Sequence, residues 1–224
     1  AGGDGIVKSY YNGAISIDKT STVYTMQVTT MGYITVAGTL NATWQTNVYG
    51  NGLITLNEGA KFNTAALQLT GKDYSGRDNT DEERVGKPAE IIVNEGANFV
   101  VGSVKSSSGA DYSYNSSYGV NIGTIAGKSA VLTLNGGNVD IYMADGQNVN
   151  IGEDGTVEVG ASTMKTICRK EGGTVGIIND GAINFSELSA ELHTATANLD
   201  VTTTVAGYSV KYVEGVYKHV ANLV

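Results

Sequence analysis

A short phrase recurs along this chain: apolar, polar, apolar, Asn, any residue, Gly. It reads Ile54-Thr55-Leu56-Asn57-Glu58-Gly59, then Ile91-Ile92-Val93-Asn94-Glu95-Gly96, then Leu132-Thr133-Leu134-Asn135-Gly136-Gly137. Val175-Gly176-Ile177-Ile178-Asn179-Asp180-Gly181 carries one extra apolar residue, and looser copies run through Gly38 and Gly155. Side chains alternate faces along a strand, so Ile54 and Leu56 share one side and Thr55 takes the other. Asn then tolerates a left-handed backbone better than most residues, and Gly accepts any turn. After each corner an apolar residue returns: Phe62, Phe99, Val139, Val157 and Ile183. Such a unit cannot bury its own apolar face, but a stack of them can. Stacking predicts a turn ladder of Asn57, Asn94, Asn135 and Asn179 with Gly59, Gly96, Gly137 and Gly181. Its amides would hydrogen-bond at the strand spacing of about 4.8 Å.

The phrase glycines Gly38, Gly59, Gly96, Gly137, Gly155 and Gly181 are separated by 21, 37, 41, 18 and 26 residues. Steps near 20 suit one coil of stacked strands. Steps near 40 suit two coils, or one coil carrying a loop. The irregularity argues against a strict short-period repeat. Thirty glycines against one proline supply turns while leaving the backbone N–H groups free for ladders. Thirteen tyrosines and a charged share of only 16% also favour strand.

The strand–Asn–x–Gly–strand wording over residues 32–185 resembles the coils of right-handed parallel β-helix proteins. That group holds pectin-lyase-like enzymes and the adhesin or autotransporter-passenger regions of bacterial surface proteins. Ile54-Thr55-Leu56-Asn57-Glu58-Gly59-Ala60-Lys61-Phe62 looks most like the adhesin side. The expected fold is therefore all-β, a right-handed parallel β-helix (β-solenoid) with a C-terminal hairpin cap. About 8–10 coils would make a rod on the order of 40–50 Å long. Residues 1–206 are expected in the helix and 207–224 in the cap. There, Tyr208–Val213 and Val216–Val220 flank a Glu214-Gly215 turn. Residues 186–198 permit a short helix. Two segments lack the period: a charged loop at 71–88 and a Ser- and Tyr-rich loop at 105–119.

A net charge of −8 disfavours nucleic acid and anionic membranes as partners. No apolar run approaches the roughly 20 residues of a membrane-spanning helix. Cys168 has no second cysteine to pair with, which suits a secreted or bacterial cell-surface protein. Neither His193 nor His219 belongs to a nucleophile motif, and no metal or phosphate-binding motif occurs. Of the acids, only Asp140 lies on a strand-like stretch, and one carboxylate makes no acid–base pair. Asp78, Asp81, Glu82 and Glu83 are hard oxygen ligands close in sequence, which leaves calcium open there. Arg77 and Arg84 can neutralise the same acids. No other cofactor is expected. Asp111, Tyr112, Tyr114, Asn115 and Tyr118 put aromatic faces and hydrogen-bonding groups into one segment, the chemistry that holds a sugar. Thr35, Thr55 and Thr133 are isolated, a poor match to the Thr ranks that bind ice. The expected function is a non-enzymatic, secreted or cell-surface adhesin-like module that presents loops to a glycan or host protein. The alternatives are a polysaccharide lyase or glycoside hydrolase, and a purely structural stalk.

Overall fold

The computed structural model describes residues 5–74, 76–113 and 119–223. They are all-β, and none of them is helical. Strands are numbered in chain order. Sheet B holds eight parallel strands: β2 (Ala14–Ile17), β4 (Tyr33–Val36), β6 (Leu53–Leu56), β9 (Ala89–Asn94), β14 (Ala130–Asn135), β17 (Gly155–Val159), β20 (Ala182–Phe185) and β22 (Val201–Thr203). Sheet A holds fourteen strands and forks. Its front row runs from the first half of β3 (Thr22–Thr30) through the first half of β5 (Thr39–Val48), β7 (Lys61–Thr64), β10 (Asn98–Val101), β15 (Asn138–Met143) and β18 (Thr163–Cys168) to β21 (Glu191–His193). Its back row starts at β1 (Ile6–Ser9), passes through the second halves of β3 and β5, and continues through β8 (Leu67–Leu69), β13 (Val120–Ile122), β16 (Asn148–Ile151) and β19 (Gly176–Asn179).

From β2 to β20 the chain visits these three rows in a fixed order: sheet B, front row, back row, then sheet B again. Each strand pairs in parallel with the strand one repeat earlier. Leu53 of β6 pairs with Glu90 of β9, and Glu90 with Val131 of β14. Each of those long steps is one repeat carrying an insertion: residues 71–88 in the first, and β11 (Ser103–Lys105) with β12 (Asp111–Ser113) in the second.

Register stacks like on like. Ile34, Ile54, Ile91, Leu132, Val157 and Ile183 form one inward lane of sheet B. Leu40, Phe62, Phe99, Val139, Met164 and Leu192 form the matching front-row lane. All of these are buried in one continuous core. The Phe62 and Phe99 rings stack with centroids 5.1 Å apart. Burying a Phe or Leu side chain is worth about 1.5–3 kcal/mol, so the lanes supply most of the cohesion between repeats.

The last two strands, β23 (Tyr208–Val213) and β24 (Val216–Ala221), form an antiparallel hairpin. Its two-residue turn uses Glu214 at φ 49° and Gly215 at φ 89°, the backbone sense that matches strand twist. β24 pairs antiparallel with β21, which makes sheet A mixed and sets Tyr217 opposite Leu192. Where a short helix was expected at 186–198, the structure has a turn and then β21. Leu192 has a place in the apolar lane under Met164, and that packing outweighs the helical preference of Glu, Leu and Ala.

The expected amide rank is interrupted. Asn57 and Asn94 sit one residue beyond the Leu56–Val93 pair, and Asn135 Nδ2 donates to Asn94 Oδ1 at 3.2 Å. Asn179 stands elsewhere. It ends the back-row lane of Leu69, Ile122 and Ile151, and its Oδ1 is buried without a hydrogen bond. The copies through Gly155 and Gly181 turn from the back row into sheet B. The copies through Gly59, Gly96 and Gly137 turn from sheet B into the front row.

A second amide ladder lies on the outward side of the back row. Asn121 Nδ2 donates to Gln68 Oε1 at 3.1 Å, and Asn150 Nδ2 to Asn121 Oδ1 at 3.0 Å. The sequence carries a signal for it: Leu67-Gln68-Leu69, Val120-Asn121-Ile122 and Val149-Asn150-Ile151 are one apolar–amide–apolar triplet.

Candidate functional site

After β10 the chain turns at Gly102, where φ is +82° and a Cβ would run into the Tyr142 carbonyl. Arg169 donates to the Gly102 carbonyl and pins the corner. β11 then folds back against β5 and β7, and its Val104 is only 4% exposed. β12 returns antiparallel, with a tight turn closed by Gly109 N–H donating to Ser106 O at 3.0 Å. A groove of about 550 Å³ lies between this hairpin and the outer face of the front row.

Two lanes of outward side chains line the groove, one strand spacing apart at each step. One carries Thr22, Thr39 and Lys61, and the other Tyr24, Asn41, Asn63 and Val100. Asn63 Nδ2 donates to Asn41 Oδ1 at 2.8 Å. Tyr24 is 38% exposed at one end of the groove, and Tyr142 lines the other. Lys61 and Lys105 are the charged residues of the lining. Lys105 Nζ pairs with Asp111 at 2.9 Å on the hairpin surface.

The second lane continues past the groove. Val100 pairs in register with Asp140, Asp140 with Lys165, and Lys165 with His193. His193 Nε2 lies 2.8 Å from Glu191 Oε2. An acid, an amine and an imidazole from three separate repeats thus share one outer face. Reading the sequence singly missed this row, because Asp140, Lys165 and His193 are neighbours only through parallel register.

The residues expected to bind ligand fall unevenly. Asp111 and Tyr112 are on β12 in the groove-side hairpin, exposed and opposite Lys105 and Val104. Tyr114, Asn115 and Tyr118 lie outside the described residues. Sequence reasoning did not find Tyr24, Asn41, Lys61, Asn63 or Tyr142.

The 71–88 segment is strandless but clasped. Arg84, 6% exposed, donates from Nε to Asn51 O at 2.9 Å and from Nη1 to Glu90 Oε2 at 3.2 Å, and also to the Pro88 carbonyl. Asn51 answers with bonds to Asn79 O and Arg84 O at 2.8 and 2.7 Å. A cavity of about 450 Å³ lies beside it, lined in part by Asp73, Asp78 and Lys128. Burial raises the Asp78 carboxyl pKa, and its Oδ1 has no hydrogen-bond partner. Asp73 holds Lys128 at 2.7 Å. Asp81 Oδ1 accepts the Glu83 N–H at 3.2 Å, and Glu82 and Glu83 are exposed. Among the described residues, no three acidic, His or Cys side chains come together as metal ligands. No helix among them is long and apolar enough to cross a membrane.

No protein-family profile matches the chain, and neither does any curated protein or solved structure.

Proposed function

We propose that the three rows wind as a right-handed parallel β-helix over residues 1–206, with residues 207–224 as its cap. On it, the chain acts as a non-enzymatic, secreted or cell-surface adhesin-like module that binds a glycan. The hand follows from crossover sterics: a connection between neighbouring parallel strands is right-handed in about 98% of cases. The hairpin covers the last front-row edge, which would otherwise invite further strands.

The groove carries the glycan reading. Its floor repeats hydroxyl, amide and aromatic groups at about 4.8 Å per strand, close to the length of one sugar unit, and such faces hold sugar rings by stacking and hydrogen bonds. A rigid core beneath the groove fixes these groups before the ligand arrives, so little ordering entropy opposes binding. The test is a glycan array followed by calorimetry on any hit. Tyr24→Ala should weaken binding at least fivefold without moving the urea midpoint. Unchanged affinity in that variant would remove the groove from the account.

One observation favours a second reading. The row Asp140, Lys165 and His193, with Glu191 beside it, sets acid–base groups in line with the groove. A polysaccharide lyase or hydrolase would use such a row. New reducing ends or unsaturated products from acidic polysaccharides, sought with and without calcium, would establish that activity. Their loss in Lys165→Ala would assign it to this face.

A further inference from the structure

We infer that the groove selects a polyanionic glycan, one bearing carboxylate or sulfate groups, and that Lys61 and Lys105 make the selection. This rests on the glycan-binding reading above and adds to it the charge of the ligand. The chain carries 22 acidic against 14 basic residues, so a surface region with lysines and no carboxylate runs against its average. The groove is such a region: its eleven lining residues are Thr, Tyr, Asn, Val, Ser and two Lys, without an Asp or Glu.

The two lysines come from opposite sides of the groove. Lys61 belongs to β7, on the floor formed by the front row. Lys105 belongs to β11, in the hairpin wall. An anionic chain lying between them meets a cation from each side. Two carboxylates flank this space. Asp111 is the partner of Lys105, and the two side chains are 79% and 68% exposed. A pair so exposed is weak, so a ligand anion can take the amine over. Asp140 lies one register step beyond Val100, next to Lys165 rather than in the lining. At physiological salt the screening length is about 8 Å, so the lysines in the groove outweigh the distant net charge.

Neutral sugars would use only the Tyr, Thr and Asn groups. An anion gains charge-assisted hydrogen bonds in addition, about twice as strong as neutral ones. The discriminating residues are therefore separable from those that hold any sugar at all.

The experiment uses the full chain at 0.15 M salt with four fluorescent probes. Hyaluronan octasaccharide carries carboxylates only, and chondroitin 4-sulfate octasaccharide carries carboxylates and sulfates. Chitohexaose and cellohexaose are neutral. The acidic probes should bind at least tenfold tighter than the neutral ones and weaken as salt rises. Lys61→Gln and Lys105→Gln should each weaken the acidic probes by about tenfold and leave the neutral ones unchanged. Asp111→Asn should tighten the acidic probes by freeing Lys105. The ratio of the two acidic probes then separates sulfate from carboxylate recognition. Neutral probes binding as tightly as acidic ones, or lysine variants without effect, would overturn the selection by charge while leaving a glycan groove in place. Failure of all four probes to bind would overturn both readings together.

Discussion

The corner glycines answer to two different constraints, and alanine substitution separates them. Gly59 has φ +75° and open space where a Cβ would go. It occupies the third position of a turn closed by Ala60 N–H donating to Asn57 O at 3.0 Å, a position that needs positive φ. Gly59→Ala therefore meets only the left-handed penalty, about 1–2 kcal/mol. Stiffening of the unfolded chain offsets about 0.4–1 kcal/mol of it. The net loss is about 0.5–1 kcal/mol. Gly137 has no positive φ. A Cβ there would lie 2.5 Å from Asn94 O and 2.6 Å from Val93 Cγ1 in the repeat below. Two neighbouring repeats must then separate, which costs about 1–3 kcal/mol as overpacking. The Gly96 N–H bond to Gly136 O, 3.3 Å long, spans the same corner, and its loss adds about 1 kcal/mol. With the same unfolded-state offset, the net loss for Gly137→Ala is about 2–3 kcal/mol.

Urea unfolding followed by circular dichroism reads both variants. With a slope of about 3 kcal/mol/M, Gly59→Ala should lower the midpoint by about 0.2–0.3 M and Gly137→Ala by about 0.7–1 M. Gly59→Asn, which tolerates positive φ, should fall between Gly59→Ala and the parent. Hydrogen exchange adds a local readout, because Asn138 N–H donates to Ala97 O at 2.9 Å just past the Gly137 corner. It should exchange faster in Gly137→Ala and not in Gly59→Ala. Equal midpoints, or a larger loss at Gly59, would refute the argument that the repeats touch through Gly137.

Arg84→Met should destabilise the chain by about 3 kcal/mol, because it strands Glu90 Oε2 and leaves the Asn51 and Pro88 carbonyls without their donor. Adding Glu90→Gln should restore part of that, and a loss under about 0.5 kcal/mol in urea unfolding would show that the 71–88 segment is not held by this residue. Asp145 accepts the Thr174 N–H at 2.8 Å and faces Lys170, and both lower its pKa, the backbone bond more. A lowered folded pKa adds stability above the unfolded value of about 3.9 and loses it as pH falls through the folded one. Asp145→Asn should therefore lower the urea midpoint at neutral pH, with the gap closing in acid. A gap that persists at the lowest pH would rule out this ionisation as its source.

Much of the stacking was readable from the phrase. Ile54, Ile91 and Leu132 do share a lane, and the apolar returns Phe62, Phe99 and Val139 share the next. What the phrase could not say is which corner each copy turns. An apolar strand end followed by Asn or Asp and Gly suits any change of direction, so Asn179 looked equivalent to Asn135 while belonging to another row. The same ambiguity explains the short step of 18 residues, which runs from one kind of corner to the other. Only contacts between repeats tell them apart, and those arise after the lanes have packed.

The groove was illegible for a related reason. Its residues run from Thr22 to Tyr142 and come from six strands. Inward positions must be apolar and of matched size, so they repeat and can be read as a pattern. Outward positions are released from packing, and there Thr55, Ile92, Thr133, Glu158 and Asn184 stack without any one chemistry prevailing. A site on such a face is written one residue per repeat and becomes visible only when register is known. The same geometry makes recognition easy to alter. Replacing one outward side chain changes one step of the groove by about 4.8 Å and leaves the core lanes beneath it untouched. The loop at 105–119 stands out in the sequence for its closely spaced tyrosines, yet the part described supplies chiefly a wall, anchored by the adjoining Val104. The floor it faces is where the register concentrates amide, aromatic and amine groups.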